Sequence, residues 1–266
     1  MEERKVIVHF HNFKNAGCTV DYILRNNFRQ GYQNYDPNER GTVILPKDGR
    51  RYINNQPALM ALSSHQLLFP LPDDKKLKIY SILFLRHPID RIGSIYRYER
   101  ISGQSSDDVL MAKETDIKSY ISSRLNNLSN IRKVGVIANF QVRRLSYQED
   151  VDDFYRKITK EKLIIAKKRL SESKYFGIVD LFNESILYMK SFLEKDFPGL
   201  DYTYTIQNRT TETVELGQRL NELKQQLGDQ LYTRLYEINQ YDMELYDYGV
   251  NLFNDRMNMV RRNIAK

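Results

Sequence analysis

The run KIYSILFLR, residues 78–86, is the stretch that most narrows the fold. It is β-branched and apolar, without the alternation that a half-exposed strand shows. Such a strand has to be covered on both faces, as in a parallel sheet with helices on either side. His87-Pro88 ends it, and IDRIGSIYRYER then takes up helical spacing.

Two more strands share this character, KVIVHF (5–10) and KYFGIVD (174–180). Helical periodicity follows the first (VDYILRNNF), marks 152–170 and 183–197, and fills two blocks of the last 55 or so residues. Two further helices are expected between about 107 and 147. The stretch 31–57, rich in Gly, Pro, Asn and charge, reads as an irregular excursion with a hairpin around VIL and YI. Strand–helix alternation early and helices late predict one α/β domain over 1–266, with a small central parallel sheet flanked by helices and a helical C-terminal part.

With 41 Lys+Arg against 34 Asp+Glu the net charge is +7, which suits an anionic partner without choosing among nucleotide, acidic polymer, membrane surface or nucleic acid. No clustered basic run or nucleic-acid reading motif accompanies the charge, so nucleic acid is not the expected partner. One cysteine excludes an internal disulfide framework and zinc-finger spacing. The opening MEERKVIVHF is unlike a signal peptide, and runs such as ILFL are too short to span a bilayer. The expectation is a soluble protein of a reducing compartment, most simply a bacterial cytoplasm.

Between KVIVHF and its helix stand Lys14, Asn15, Ala16, Gly17, Cys18 and Thr19. Small residues there let the backbone come close to a ligand, and the N–H groups and dipole of a helix N-terminus favour an anion. A nucleoside-triphosphate loop places its lysine after the glycines, whereas Lys14 precedes Gly17, which disfavours an ordinary ATPase, GTPase or nucleotide kinase. Taken alone, the loop is equally compatible with a plain strand-to-helix turn. The second strand adds Arg86 at its carboxyl end and Ser94 eight residues on. Ligands of open parallel sheets bind beyond the carboxyl ends of the strands, where Arg86 can clamp a phosphate and Ser94 can add a hydroxyl.

Together KNAGCT and LRHPIDRIGSIY resemble the 5′-phosphosulfate loop and the 3′-phosphate motif of the sulfotransferase family, nearer its carbohydrate (heparan-sulfate 2-O-sulfotransferase-like) branch than its small-phenol branch. Weaker similarity continues through ANFQVRRLS, YFGIVDLFNESILYM, QNRT and NQYDMELYDYG. The resemblance implies the P-loop-like sulfotransferase fold and transfer of a sulfuryl group from 3′-phosphoadenosine 5′-phosphosulfate (PAPS) to a hydroxyl, leaving 3′-phosphoadenosine 5′-phosphate (PAP). It further implies that Lys14 neutralises developing charge, that Asn15 to Thr19 hold the 5′-phosphate and Arg86 and Ser94 the 3′-phosphate, and that Asn208, Arg209 and Thr210 belong to a loop over the nucleotide. No metal is required. The acceptor is expected on a glycan or glycolipid, with a tyrosine or small natural product as the alternative; a non-catalytic anion-binding protein is the rival class, and a homo-oligomer stays open.

Cys18 weakens the hydroxyl pair expected on the helix's first turn, and its place there beside Lys14 is a setting that makes thiols reactive. For a base, His65 resembles the glycan enzymes' Gly-His-x-x-Phe segment and is expected near a neutral pKa. His11 is a second candidate near the acceptor, although a packed or capping role suits it as well. His9 and His11 alone make a poor zinc site, with no carboxylate or cysteine partner evident in the sequence. Arg143 and Arg144 are candidates to meet an anionic acceptor, or else form a solvated helix face.

Overall fold

The structure, a computed structural model, describes residues 3–37, 42–127, 130, 135–148, 151–207 and 215–264. Five parallel strands form one sheet: β1 (Arg4–Phe10), β2 (Tyr32–Asn34), β3 (Ala61–Ser64), β4 (Leu77–Leu85) and β5 (Phe176–Ile178), in the order β2-β3-β1-β4-β5. Helices α1 (Gly17–Phe28), α2 (Pro46–Asn54), α3 (Pro88–Ile101), α4 (Asp107–Glu114), α5 (Ile117–Asn126), α6 (Phe140–Ser146), α7 (Lys160–Glu172), α8 (Phe182–Leu193), α9 (Leu216–Leu227), α10 (Asp229–Ile238) and α11 (Gln240–Ile264) surround it.

The two long strands explain the layering. In β1, Val6, Val8 and Phe10 pack with Leu83 and Leu85 of β4 against α6, α7 and α11, through Val142, Ala166, Leu170, Leu245 and Phe253. Ile7 of β1 and Tyr80, Ile82 and Phe84 of β4 point the other way, into Val20, Ile23 and Leu24 of α1 and Ile186 and Met189 of α8. Successive side chains of a strand face opposite sides, so a strand apolar at every position is one with two covered faces. A further cluster, including Ile92, Tyr120, Ile121, Leu223 and Leu235, joins α3 and α5 to α9 and α10.

Four local expectations change, the first being that three helices among the described residues, α4 to α6, lie between 107 and 147 where two were expected. Among its described residues the excursion at 31–57 holds no hairpin: β2 pairs with β3 in parallel, Ile44 forms a lone parallel bridge with Leu67, and Tyr52 and Ile53 lie in α2, which Pro46 opens. The helix expected over 152–170 is interrupted before Thr159, whose hydroxyl caps α7 by accepting from the Lys162 amide at 3.5 Å. The C-terminal blocks are three helices, because Gly228 at φ 76° turns the chain between α9 and α10. Chain order reverses across β1 and β4, so the crevice beyond their carboxyl ends is the topological switch point of the sheet. Among the described residues no helix is long and apolar enough to cross a membrane.

Candidate active site

Beyond that switch point lies a cavity of about 710 Å³ walled by Lys14, Ala16, Gly17, Cys18, Thr19, Arg86 and Ser94, by His11 and His65, and by α8 and α9. The loop that enters it is bent to shape. Lys14 and Ala16 both take positive φ, 63° and 59°, a left-handed backbone that costs a non-glycine residue about 1–3 kcal/mol and persists only where its surroundings impose it. The surroundings are visible. Arg86 Nη1 donates to the Lys14 carbonyl at 2.9 Å, and Arg91, buried in α3, reaches the Phe13 carbonyl at 3.4 Å.

Gln141 is the junction behind the loop. Its side chain accepts from the Arg86 amide (2.9 Å), donates to the Arg86 carbonyl (2.8 Å) and accepts from Asn15 Nδ2 (2.9 Å), which also donates to the Phe84 carbonyl (2.6 Å). Asp242 of α11 in turn caps α6 at the amides of Gln141 and Val142, 3.0 and 2.8 Å away. Asn15 therefore holds the loop to β4 and turns its side chain into the interior.

Charge in the cavity is predominantly positive on the loop side. The first turn of α1 carries no acid. Burial, followed by the nearby Arg86 and Arg97 charges, pushes Lys14 down to about 8. Its ammonium stands 4.5 Å over the ring of Tyr98. Asp90 is the acid that fixes the arginines: Arg86 Nε meets it at 2.7 Å, Arg219 Nε at 2.9 Å, and Arg97 Nη2 lies 3.9 Å away. Burial opposes its charge, yet these guanidiniums hold its carboxyl below the usual range. Arg219 also bonds Asp180, tying α9 to the end of β5.

The histidines sort themselves by their partners. Asp21 of α1 bridges two of them: Oδ1 accepts from His9 Nδ1 and Oδ2 from His11 Nδ1, both at 2.8 Å. The carboxylate that the sequence reading missed is therefore Asp21, and each of its oxygens is engaged by an imidazole N–H. Burial works against charge on His11, but hydrogen bonds to Asp21 and Cys18 override it and raise the imidazole to about 9. His65 lies against it, tilted by 36° with ring centroids 3.7 Å apart, and is open to the cavity. The crowded setting and then the His11 charge push His65 down to about 3, not to the near-neutral value expected. At pH 7 the pair thus consists of a cation and a neutral ring.

Of the predicted residues, Lys14, Ala16, Gly17, Cys18, Thr19, Arg86, Ser94, His11 and His65 meet at this cavity. Thr19 Oγ1 accepts from the Gln207 amide at 3.1 Å and so pins the 204–207 segment over α1. Asn208, Arg209 and Thr210 lie outside the described residues. Arg143 and Arg144 do not reach the cavity. They are buried in α6, where Arg143 donates to the carbonyls of Phe154 and Arg156 and Arg144 to Asn12 Oδ1 and the Leu67 carbonyl. Their surroundings correct the acceptor-contact expectation: the guanidiniums bind backbone carbonyls that other elements leave unmet.

A family model described as the sulfotransferase family matches residues 1–249. The chain belongs to the sulfotransferase family. It is also 32% identical over 261 residues to an uncharacterised protein of Archaeoglobus fulgidus, covering 95% of this chain and 98% of that one. Sulfuryl transfer is thus its general chemistry, and the five-stranded parallel sheet flanked by helices is consistent with the sulfotransferase fold. The residues that build this sulfotransferase cavity from behind (Asp21, Asp90, Gln141, Arg219 and Asp242) carry no local signature. Asp90, Gln141 and Asp242 stand within LRHPIDRIGSIY, ANFQVRRLS and NQYDMELYDYG, and Asp21 within VDYILRNNF, but nothing in those stretches singles them out.

Proposed function

We propose that the protein, acting as one domain in a reducing, cytoplasmic setting, transfers a sulfuryl group from PAPS to a hydroxyl on a carbohydrate, a glycan or glycolipid. The observation that carries this reading is the convergence of two anion-binding stretches, at Lys14–Thr19 and at Arg86–Ser94, on one cavity into which the His65 ring opens. A cavity of about 710 Å³ is within the range of small-molecule sites. The depressed Lys14 fits an anionic nucleotide, since bound negative charge would relieve its crowding by Arg86 and Arg97.

PAPS supplies an activated sulfuryl group when bound. With it bound, the first-turn amides of Gly17 and Cys18 and the Thr19 hydroxyl would hold the 5′-phosphate, and Arg86 with Ser94 the 3′-phosphate. Lys14 meets the charge that grows on the leaving phosphate as the S–O bond to it breaks. His65, proton-free at neutral pH, accepts the acceptor's hydroxyl proton as the new S–O bond forms. Negative charge beside it raises its basicity in the complex above that of the free protein. The carbohydrate preference rests on the likeness of KNAGCT, LRHPIDRIGSIY and the His65 segment to the carbohydrate branch.

Calorimetry with PAP and ATP, followed by sulfate-labelled PAPS with a panel of glycans, tyrosine peptides and phenols, tests the proposal. Binding of PAP but not ATP and label transfer to glycans is the expected result. Absence of PAP binding would overturn the donor assignment; transfer only to peptides or phenols would overturn the acceptor class.

A further inference from the structure

The wall of the cavity at the first turn of α1 holds a nucleophile, a base and an orienting acid in sequence. Cys18 is hydrogen-bonded to His11, and His11 donates from Nδ1 to Asp21 Oδ2 at 2.8 Å. That order, nucleophile to imidazole to carboxylate, is the arrangement by which proteins activate a weak nucleophile. The approach is built into the backbone. A Cβ on Gly17 would lie 2.1 Å from His11 Cδ2 and 2.3 Å from Nε2, so only glycine lets the imidazole descend onto the turn that carries the thiol.

We propose that Cys18, His11 and Asp21 form an activated thiol centre that exchanges with low-molecular-weight disulfides, and that the mixed disulfide closes the cavity to anionic nucleotides. The second half rests on the proposed donor reading; the first does not. Cys18 is partly exposed and faces the cavity, so a small disulfide reaches it through the same opening as the donor. The titratable groups around it are His11, Lys14 of the entry loop, Asp21 behind His11, and His65, tilted against the His11 ring and neutral at pH 7. The two nearest are cationic, and Asp21 divides its charge between His9 and His11.

In the exchange, the Cys18 thiolate attacks one sulfur of R–S–S–R. A Cys18–S–S–R bond forms, the R–S bond's electron pair leaves with R–S⁻, and R–S⁻ takes a proton from solvent. Excess thiol runs the same step backwards. The R group then occupies the space in front of Lys14, Ala16 and Thr19, where an anion would sit.

The test uses glutathione disulfide and the full chain, with adduct followed by intact mass; the chain has 1 cysteine, so any adduct maps to position 18. Wild-type protein should react at nearly constant rate between about pH 6 and pH 9, whereas an ordinary thiol near pKa 8.5 gains about tenfold per unit below it. His11→Gln and Asp21→Asn should each restore that steep rise. Thiolate absorbance in the far ultraviolet, wild type minus Cys18→Ser at about pH 6, reads the same centre without touching His11 or Asp21. A wild-type rate that climbs like an ordinary thiol's, or no thiolate absorbance, overturns the activated centre. The adduct should lose PAP affinity by at least about a hundredfold (roughly 2.7 kcal/mol) and regain it with dithiothreitol; an adduct that binds PAP normally overturns closure. If unmodified protein fails to bind PAP, the donor reading fails while the exchange kinetics still decide the thiol centre.

Discussion

Arg86 Nη1 donates to the backbone carbonyl of Lys14 across 2.9 Å, joining residues 72 apart in sequence. The bond makes the two anion-binding stretches one object: the guanidinium that faces a phosphate also holds the left-handed turn that presents the lysine. Asp90 and Gln141 fix Arg86 from behind, at its side chain and its backbone.

Arg86→Ala should weaken PAP by about 1.5–3 kcal/mol, the span of hydrogen bonds to charged groups. Adenosine 5′-phosphosulfate, which lacks the 3′-phosphate, should lose much less. Paired calorimetric titrations measure both. Equal losses would mean that Arg86 acts only by shaping the Lys14 turn.

Lys14→Ala should lower kcat strongly with a modest change in PAP affinity, since the charge it meets grows in the transition state. Because its ammonium is held near pKa 8, nucleotide binding to wild-type protein should weaken as pH rises through about 8. Lys14→Ala should lose that inflection. A titration series from neutral to alkaline pH decides the point.

His65→Ala should abolish label transfer and leave PAP affinity intact. With His65 near 3 in the free protein, the acidic limb of kcat/KM should fall well below the ordinary histidine range. The limb of kcat should lie higher, because bound anion raises the imidazole. An alanine enzyme with undiminished turnover would remove His65 from the chemistry.

Asp90→Asn leaves Arg86 and Arg219 facing a neutral amide in a buried site, which should cost about 3–5 kcal/mol of stability in denaturant unfolding. The sign follows from its lowered carboxyl. The unfolded chain holds this proton more tightly than the folded one, so the stabilisation is complete above about pH 4 and is lost as pH falls through the folded value. The variant should therefore show a shallower loss of stability in acid; an unchanged acid slope would sink the assignment.

Gly17→Ala drives a methyl into the His11 ring and should cost about 1–3 kcal/mol, typical of forced overpacking, while displacing His11 from His65. Thermal unfolding and PAP titration read the two effects, and a fully wild-type result on both would show that the imidazole can move aside freely.

What the sequence determined by itself was whatever depends on neighbours along the chain. Continuous apolar runs at 5–10 and 78–86 required two covered faces, hence a parallel sheet with helices, and β1 and β4 are those strands. A lysine and small residues before a helix, and an arginine after a strand, are likewise local chemistry, and Lys14, Arg86 and Ser94 were legible for that reason. β2 and β3 were not legible: strands of three and four residues show no period, and they hold only because β1 supplies a parallel edge for β3 to pair with. Arg143 and Arg144 looked like ligands because charge says nothing about direction; packing of α6 turned both inward to backbone carbonyls. Asp21, Gln141 and Arg219 were invisible as site residues because each works through partners brought near by folding, 12, 55 and 129 positions away. Tertiary structure alone decided which imidazole is charged, because that depends on Asp21 and Cys18 touching His11 and on His11 lying against His65, contacts whose energies fall off over a few ångströms and which chain order cannot convey.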